Sequence, residues 1–239
     1  MLAMIRRGIT AVAVLAAIGC APLSLAAPAP DPTPFTARYK LAIDGWPDAT
    51  ITHRLSHGSG GESDVWTSDM QASIKVASGE ERGRFRLDDD GPPQALDYTS
   101  RYSLLGIGDD YHLGADELQT LPDRQTALFS LSRRAPDARC ASAQVSPCEL
   151  TYQDHKGREK SMLYRVVTHG DVKTPAGTYA GVTVDTWDPD PDKRDRHLFL
   201  TFSSEIAGLL LGSRYVKDGK ESSHLELLSI TRDRPAASD

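Results

Sequence analysis

From residue 35 onwards the chain alternates apolar and polar residues over short stretches, which is the pattern of half-buried β-strands. In Phe35–Ile43 every second residue is apolar or aromatic, and most of the residues between them are polar. Clusters of Gly, Asp and Pro, such as residues 88–93, separate one stretch from the next. The pattern predicts strands at residues 35–43, 49–55, 65–76, 82–87, 95–104, 111–119, 149–154, 160–169, 178–187, 197–203, 214–216 and 222–231.

Turn sequences between these strands indicate a long antiparallel meander. Asp44-Gly45, Lys156-Gly157, residues 169–171 and residues 218–220 are typical hairpin turns. More than ten short strands do not stay as one flat sheet, because the right-handed twist accumulates and open edges invite aggregation. We therefore predict a mainly β fold, in which the meander forms a strongly curved sheet or a partial or closed β-barrel.

Two segments depart from strand alternation and are candidates for short helices. Residues 123–134 contain Leu128 and Leu131 and end on basic residues. Residues 204–211 read as a short helix or an apolar loop, because Gly208 weakens either regular state. We expect the helical segments to cover one open side of the sheet. Three consecutive leucines at 209–211 would form a contact patch if they were exposed.

Residues 1–26 have the features of a secretory signal peptide. Arg6 and Arg7 precede an uncharged stretch of about eleven residues, which is too short to span a bilayer, and Ala26 offers a cleavage site. Residues 27–34 would then be a flexible lead-in, residues 35–232 a single β domain and residues 233–239 a disordered tail. This predicts a periplasmic protein without a transmembrane segment after cleavage. The alternative is a lipoprotein anchored through Cys20.

The net charge of the chain after the leader limits the classes of partner that it can bind. The leader holds two basic residues, so cleavage leaves 25 Lys and Arg against 33 Asp and Glu, a formal charge of −8. Nucleic acid and anionic membrane surfaces both require clustered cationic charge, and the chain after the leader has no run of basic residues. We therefore expect no nucleic-acid partner.

Export also determines the state of the cysteines. Cleavage removes Cys20 and leaves Cys140 and Cys148, a pair in an oxidising compartment. The short segment between them is rich in small residues, so we predict a structural disulfide. A redox Cys-x-x-Cys motif is absent, and the two thiols have no nearby His pair with which to form a zinc site.

One segment has the form of a family signature. Thr174-Pro-Ala-Gly-Thr-Tyr179 places Pro175 and Gly177 at a turn between two predicted strands. With the opening strand 35–39 and the late Asp218-Gly219 hairpin, it resembles domain of unknown function 3108, a family of exported envelope proteins of Gram-negative bacteria. The resemblance covers essentially the whole chain after the leader and implies a mostly β exported protein with no assigned activity. The chain departs from the family at residues 212–214, where members tend to have a proline.

Candidates for catalysis and metal binding are scattered. Asp188–Asp195 is rich in carboxylates that suit calcium, but its prolines, its two basic residues and its lack of glycine favour a solvated turn. Asp109 and Asp110 near His112 could form an acid–base group. No nucleophile elbow, phosphate loop or His-Glu-x-x-His motif is present. The sequence assigns no catalytic residue, no cofactor and no metal ligand.

The remaining prediction is a binding module. Aromatic residues on predicted strands would line an apolar cavity if they faced the concave side, and we select Trp66, Tyr98, Tyr102 and Trp187. The hypothesis is binding or carriage of a hydrophobic, lipid-like envelope molecule. The first alternative is a non-catalytic envelope protein with a structural or interaction role, whose partner would be another envelope protein. The second is a hydrolytic enzyme that uses scattered His and Asp.

Overall fold

A computed structural model describes residues 30–58, 64–88, 91–137, 140 and 147–232. The predicted signal peptide, its cleavage site, the first three residues of the lead-in and the predicted tail at 233–239 lie outside the described residues. Twelve strands follow in chain order, namely β1 Phe35–Ile43, β2 Ala49–His57, β3 Val65–Ile74, β4 Ala77–Arg86, β5 Gln94–Leu104, β6 Ile107–Leu113, β7 Cys148–Gln153, β8 Glu159–Thr174, β9 Gly177–Trp187, β10 Arg196–Ser203, β11 Leu210–Lys217 and β12 Lys220–Arg232. One α-helix, α1, spans Arg124–Arg134 between β6 and β7, and 3-10 turns lie at Ala135–Asp137 and Pro191–Lys193.

All twelve strands belong to one antiparallel sheet in the order β6-β5-β4-β3-β2-β1-β12-β11-β10-β9-β8-β7. Two six-stranded meanders, β1–β6 and β7–β12, therefore join where the first strand pairs with the last. Phe35 pairs with Arg232 and Ile43 pairs with Ser223, with a β-bulge beside Tyr39. The predicted meander is confirmed.

The sheet curls until its two edges approach each other, but it does not close. The ring of Tyr111 on edge strand β6 lies 4.7 Å from that of His155, in the turn after edge strand β7. Lys156 in the same turn lies 5.4 Å above the Tyr111 ring. We call this unpaired gap between β6 and β7 the seam. The predicted curved, partial barrel is confirmed.

Helix α1 packs into the concave side of this sheet, with contacts to β4 and β7. The predicted helical segment 123–134 is confirmed, and Asp123 caps the N-terminus of the helix. Seven of its eleven residues are buried, and four of those seven are Gln, Thr or Ser. The helix thus brings an unusual number of polar groups into the interior.

Apolar side chains from both meanders fill most of the space around α1. One cluster joins β1–β4 and β12 to the helix through residues such as Tyr39, Phe85 and Phe129. A second joins β7–β10 to the other side of the helix through Leu131, Val184 and others. The interior is therefore a packed core at the level of α1.

The second predicted helix is wrong. Residues 204–208 form bends and turns, and β11 begins at Leu210, because Gly208 adopts a φ of +80° that ends regular structure. Leu209 and Leu211 are fully buried in the first cluster, so the leucines do not form an exposed contact patch. The apolar-loop interpretation is the one that holds.

The predicted hairpin turn at residues 169–171 is also wrong. Strand β8 runs on to Thr174, and Gly170 lies inside it opposite Gly181. The turn falls instead at Pro175-Ala176, within the segment that resembles the family signature, and Gly177 has a φ of +135°. The predicted disulfide between Cys140 and Cys148 is present, with 5.7 Å between the two Cα atoms.

Candidate binding site on the concave face

Helix α1 divides the concave face into a filled part and an open part. At Gly83 on β4 the helix lies directly against the strand, where an added Cβ would be 2.8 Å from Oδ1 of Asp123 and 2.9 Å from Cβ of Gln125. At Gly79, four residues away and on the same face of the same strand, an added Cβ would meet nothing within 4 Å. The boundary between the two parts crosses β4 between these glycines.

The start of α1 is held by a buried carboxylate. Oδ1 of Asp123 accepts hydrogen bonds from the backbone N–H groups of Gln125 at 2.8 Å and Thr126 at 3.0 Å. Oδ2 accepts one from the Thr126 hydroxyl at 2.6 Å. Burial raises the pKa of Asp123 to about 6, although these hydrogen bonds favour the charged form. The carboxylate therefore stays ionised at neutral pH and caps the start of the helix.

A chain of polar side chains continues from α1 across the filled part. His53 Nε2 lies 3.0 Å from Ser68 Oγ, and Ser68 Oγ donates to Gln125 Oε1 at 3.2 Å. Gln125 Nε2 donates to Glu81 Oε2 at 2.9 Å, and Glu81 also pairs with the Arg124 guanidinium. These five residues lie on four elements, so their hydrogen bonds link β2, β3 and β4 to the helix.

The direction of this chain sets the tautomer of His53. The single proton of the Ser68 hydroxyl goes to Gln125, so Ser68 Oγ accepts from His53 and Nε2 carries the imidazole proton. Nδ1 of His53 is then a buried acceptor without a partner among the described residues. Burial lowers the pKa of His53 to about 4, which keeps the ring neutral.

A small cavity lies beside this chain. It has a volume of about 40 Å³ and is lined by His53 and Ser68 on one side and by apolar side chains such as Phe129, Phe202 and Leu210 on the other. This volume is enough for a water molecule and far below that of a lipid. The filled part of the concave face therefore contains no preformed lipid pocket at this cavity.

The contact between His53 and Ser68 does not form a hydrolytic site. Both residues are enclosed in the core, so a substrate does not reach the hydroxyl. The Ser68 proton is directed to Gln125 rather than to the imidazole, and Nδ1 lacks the carboxylate that orients a catalytic base.

On the open part, apolar side chains continue along the concave face towards the turns of three hairpins. They lie on the same face as buried residues of the same strands, such as Tyr39, Ser68 and Tyr98, but are themselves half-buried or exposed. We call this set the upper concave surface, and it consists of Leu41, Ile43, Met70, Ala72, Ile74, Tyr102 and Leu104. Five neighbouring strands, β1–β5, border or contribute to it. This surface is apolar, continuous with the core and accessible.

The seam offers a second opening. A cleft of about 370 Å³ runs between the start of β5, the loop before α1 and strand β7. Its lining includes Leu118 and Leu150 together with Thr126 and Ser130 on α1. This volume is in the range of sites for small ligands.

The four aromatic residues selected from the sequence are not brought together. Trp66 is buried in the first core cluster against His57, and Tyr98 is buried in a small cluster with Leu113. Tyr102 lies on the upper concave surface, where its hydroxyl donates to Asp109 at 2.5 Å. Trp187 is half-buried at the far end of β9. Only Tyr102 belongs to the accessible concave surface.

The candidate acid–base group at residues 109–112 is dispersed. Asp109 accepts from Tyr102 on the concave face, whereas Asp110 pairs with Arg101 at 2.7 Å on the convex face. His112 lies 2.7 Å from a different carboxylate, Asp97. Alternation along β6 separates the two aspartates, so this group does not form.

In the Asp-rich turn at 188–195, a lysine ammonium pairs with two of the aspartates. The Lys193 ammonium lies 2.8 Å from Asp188 and 3.4 Å from Asp190, in the place that a cation would occupy. Across the part of the chain that the structure describes, no group of three or more His, Cys, Asp or Glu side chains is placed to hold a metal ion.

Sequence reasoning missed the polar chain, although one signal could have revealed part of it. His53 occupies an inward position of the predicted strand 49–55, between Ile51 and Leu55. A histidine in such a position must be buried neutral and bonded. The partners Ser68, Gln125 and Glu81 come from other elements and carry no local signal of their own.

Comparison with known proteins supports the fold only. No family model matches the sequence, and no curated protein matches it. The chain is similar to a solved structure described as the beta-barrel-like protein of domain of unknown function 1849 from Brucella abortus, with 11% identity and a TM-score of 0.53, covering 86% of this chain and 100% of that chain. It is also similar to a predicted exported protein with a YmcC-like fold from Bacteroides fragilis, with 12% identity and a TM-score of 0.37, covering 84% and 97% of the two chains. The first of these likenesses shows a barrel-like β fold.

Within the described residues, no helix is both long and apolar enough to cross a bilayer.

Proposed function

We propose that this is an exported, non-catalytic binding protein that holds an apolar envelope molecule, such as one with an acyl chain, on the upper concave surface. The observation that carries the proposal is the contrast between Gly83 and Gly79, since the concave face is filled below α1 and open above it. A lipid-sized pocket beneath α1 is not part of the proposal, because the core there is packed.

The chemistry of the open part suits an apolar ligand. Its wall consists of aliphatic side chains, Met70 and the Tyr102 ring, and its deep end meets the packed core. Burying apolar surface contributes about 25 cal/mol per Å². A ligand that covers roughly 200 Å² of this surface would gain on the order of 5 kcal/mol from that contact alone.

Export to the periplasm is part of the proposal. It rests on the signal-like residues 1–26, with Cys20 as the alternative lipid attachment point, and on the disulfide between Cys140 and Cys148, which suits an oxidising compartment. The resemblance to domain of unknown function 3108 stays a prediction. The net negative charge favours a ligand that is not nucleic acid.

The test compares two neighbouring substitutions on β4 that lie on opposite faces of the sheet. Gly79→Glu places a charge on the upper concave surface, and Ser78→Glu places the same charge on the convex face. The probe is N-phenyl-1-naphthylamine, whose fluorescence rises in apolar sites. We expect saturable binding to the natural protein, binding weakened about tenfold or more by Gly79→Glu, and little change with Ser78→Glu.

A third variant tests the location of the site. Ser130→Phe fills the seam cleft and leaves the upper concave surface intact. If Ser130→Phe abolished binding and Gly79→Glu did not, the site would be the seam cleft and the proposed location would be wrong. Absence of saturable binding, together with a clean polypeptide mass in native mass spectrometry of protein from its own periplasm, would refute the binding function and favour a structural role.

A further inference from the structure

Three neighbouring hairpins end in large exposed apolar side chains. Trp46 lies in the β1–β2 turn, Val76 in the β3–β4 turn and Leu105 in the β5–β6 turn, and Ile107 opens β6. Their exposed fractions are 57%, 45%, 74% and 81%. We call these four residues the apolar tips.

The topology places the apolar tips at one end of the sheet. Because β1–β6 are consecutive antiparallel strands, the β1–β2, β3–β4 and β5–β6 turns all project from the same end of the sheet. The second and third turns touch, since Leu105 N donates to Val76 O at 2.8 Å. The tips continue the upper concave surface, whose outermost residues Ile43 and Leu104 are also exposed.

Leu105 is an unfavourable residue for its own turn. Leu105 and Gly106 have φ angles of 53° and 81°, the two positive values of a type I′ turn, where Asn-Gly or Asp-Gly is preferred. The β11–β12 hairpin has the same turn with the preferred residues, Asp218 at 51° and Gly219 at 71°. The fold therefore gains nothing from a leucine at position 105, where the side chain points into solvent.

The turns of the two halves of the sheet at this end of the molecule differ in how many charged residues they carry. The turns of the β7–β12 half at the same end, residues 154–158, 188–195 and 217–220, are rich in both acidic and basic residues. The apolar tips are confined to the β1–β6 half. The turns of the apolar tips hold only Asp44, Asp48 and Lys75 as charged neighbours, so a partner at this end meets apolar side chains flanked by charges of both signs.

The area and shape of the apolar tips favour one kind of partner. Together they expose roughly 500 Å², which is in the range of the largest apolar patch on a typical monomer, a patch that is often functional. It is less than the roughly 800 Å² that each side of a stable protein dimer buries. Exposed apolar side chains on three turns at one end of the sheet, with a tryptophan among them, suit a lipid bilayer, where each side chain enters between head groups.

We propose that the apolar tips dock the protein onto a lipid bilayer surface. The acidic balance of the chain means that docking does not depend on anionic lipid. Docking would place the upper concave surface beside the bilayer. It does not require that this surface hold a ligand, and the two proposals are measured separately.

The test uses the exported protein and vesicles of phosphatidylcholine, with a second set that contains phosphatidylglycerol. Flotation and a blue shift of the tryptophan fluorescence, in which Trp46 is the most exposed of the three tryptophans, report binding. Leu105→Asn suits the turn, so we expect an unchanged or higher unfolding midpoint together with roughly tenfold weaker vesicle binding. Leu228→Asn is the matched control, because Leu228 is also exposed, at 39%, and lies at a β-bulge far from the tips.

The outcomes separate the proposals. Binding to phosphatidylcholine vesicles that phosphatidylglycerol does not strengthen, weakened by Leu105→Asn and kept with Leu228→Asn and Gly79→Glu, supports docking. No flotation of the natural protein, or equal loss in Leu105→Asn and Leu228→Asn, would overturn it. A dimer in light scattering that Leu105→Asn converts to monomer, without vesicle binding, would assign the tips to a second copy of this chain.

Discussion

Replacing His53 by Gln changes how the stability of the protein depends on pH. His53 is buried and neutral, and its pKa falls from 6.5 to about 4 because burial disfavours the imidazolium. Gln retains a donor for Ser68 and does not titrate. The difference in unfolding free energy between the natural protein and His53→Gln therefore isolates the titration of this one ring.

The sign follows from proton binding. Between about pH 6.5 and pH 4 the unfolded chain binds a proton on His53 and the folded protein does not, so stability falls as the pH falls. The loss is about 2 kcal/mol between pH 7 and pH 5 and approaches about 3 kcal/mol below pH 4. The side chains that face His53 are Ser68, Gln125 and the Phe35 ring, and none of them carries a charge that would offset the loss.

Asp123 acts in the opposite direction. Its pKa rises from 3.8 to about 6, so the folded protein binds a proton before the unfolded chain does. This raises stability by about 1 kcal/mol between pH 7 and pH 5. Asp123→Asn should remove that gain, so the stability of this variant should fall more steeply than that of the natural protein as the pH is lowered.

Urea unfolding followed by tryptophan fluorescence at pH 7, 6 and 5 measures these differences. Trp66 lies in the same core cluster as Phe35, which packs on the His53 ring. The fluorescence of Trp66 therefore reports the unfolding of this cluster. The stability gap between the natural protein and His53→Gln should shift by about 2 kcal/mol over this range. A gap that stays constant within about 0.5 kcal/mol would refute the conclusion that His53 is neutral in the folded protein.

Three further predictions concern packing and the disulfide, and urea unfolding checks each of them. Gly83→Ala should destabilise by about 1–3 kcal/mol, because the added Cβ would overlap the start of α1, whereas Gly79→Ala should be neutral or better, and equal effects would contradict the boundary between filled and open parts. Replacing Cys140 and Cys148 by Ser should cost roughly 2–3 kcal/mol, and a loss that reducing agent does not reproduce in the natural protein would argue against the disulfide as its cause. Leu209→Ala should cost about 2–5 kcal/mol as a buried core truncation, while a change below about 0.5 kcal/mol would place this side chain at the surface.

Alternation predicted the fold because each strand buries one face. The predicted strand 35–43 matches β1, and the predicted segment 123–134 matches α1 with its Asp123 cap. The hairpin at residues 75–76 was missed, because Val76 continues the apolar pattern across the turn and hides it. The start of β6 at Ile107 was missed for a related reason, since Leu105 disguises a turn in which Asn or Asp is usual.

The candidate binding site was harder to predict from the sequence than the fold. The aromatic residues selected for a cavity include Trp66 and Tyr98, which fill the core, because period-two alternation gives the face of a side chain and not its depth. How deeply a side chain is buried depends on where α1 crosses the sheet. That position is set by the tertiary contact between Gly83 and Asp123, which the sequence pattern does not show. The polar chain from His53 to Glu81 depends on the same crossing.

The pairing of β1 with β12 has a consequence for how the chain folds. The two six-stranded meanders form from local hairpins, but they join in the middle of the sheet only when the last strand arrives. Until then β1 is an open edge, and its outward Arg38 and Lys40 are the kind of charges that discourage pairing with other chains. Joining strands so far apart in sequence is slow compared with forming hairpins. Loss of β12 should therefore leave the two halves of the sheet unjoined, with β1 as an exposed edge.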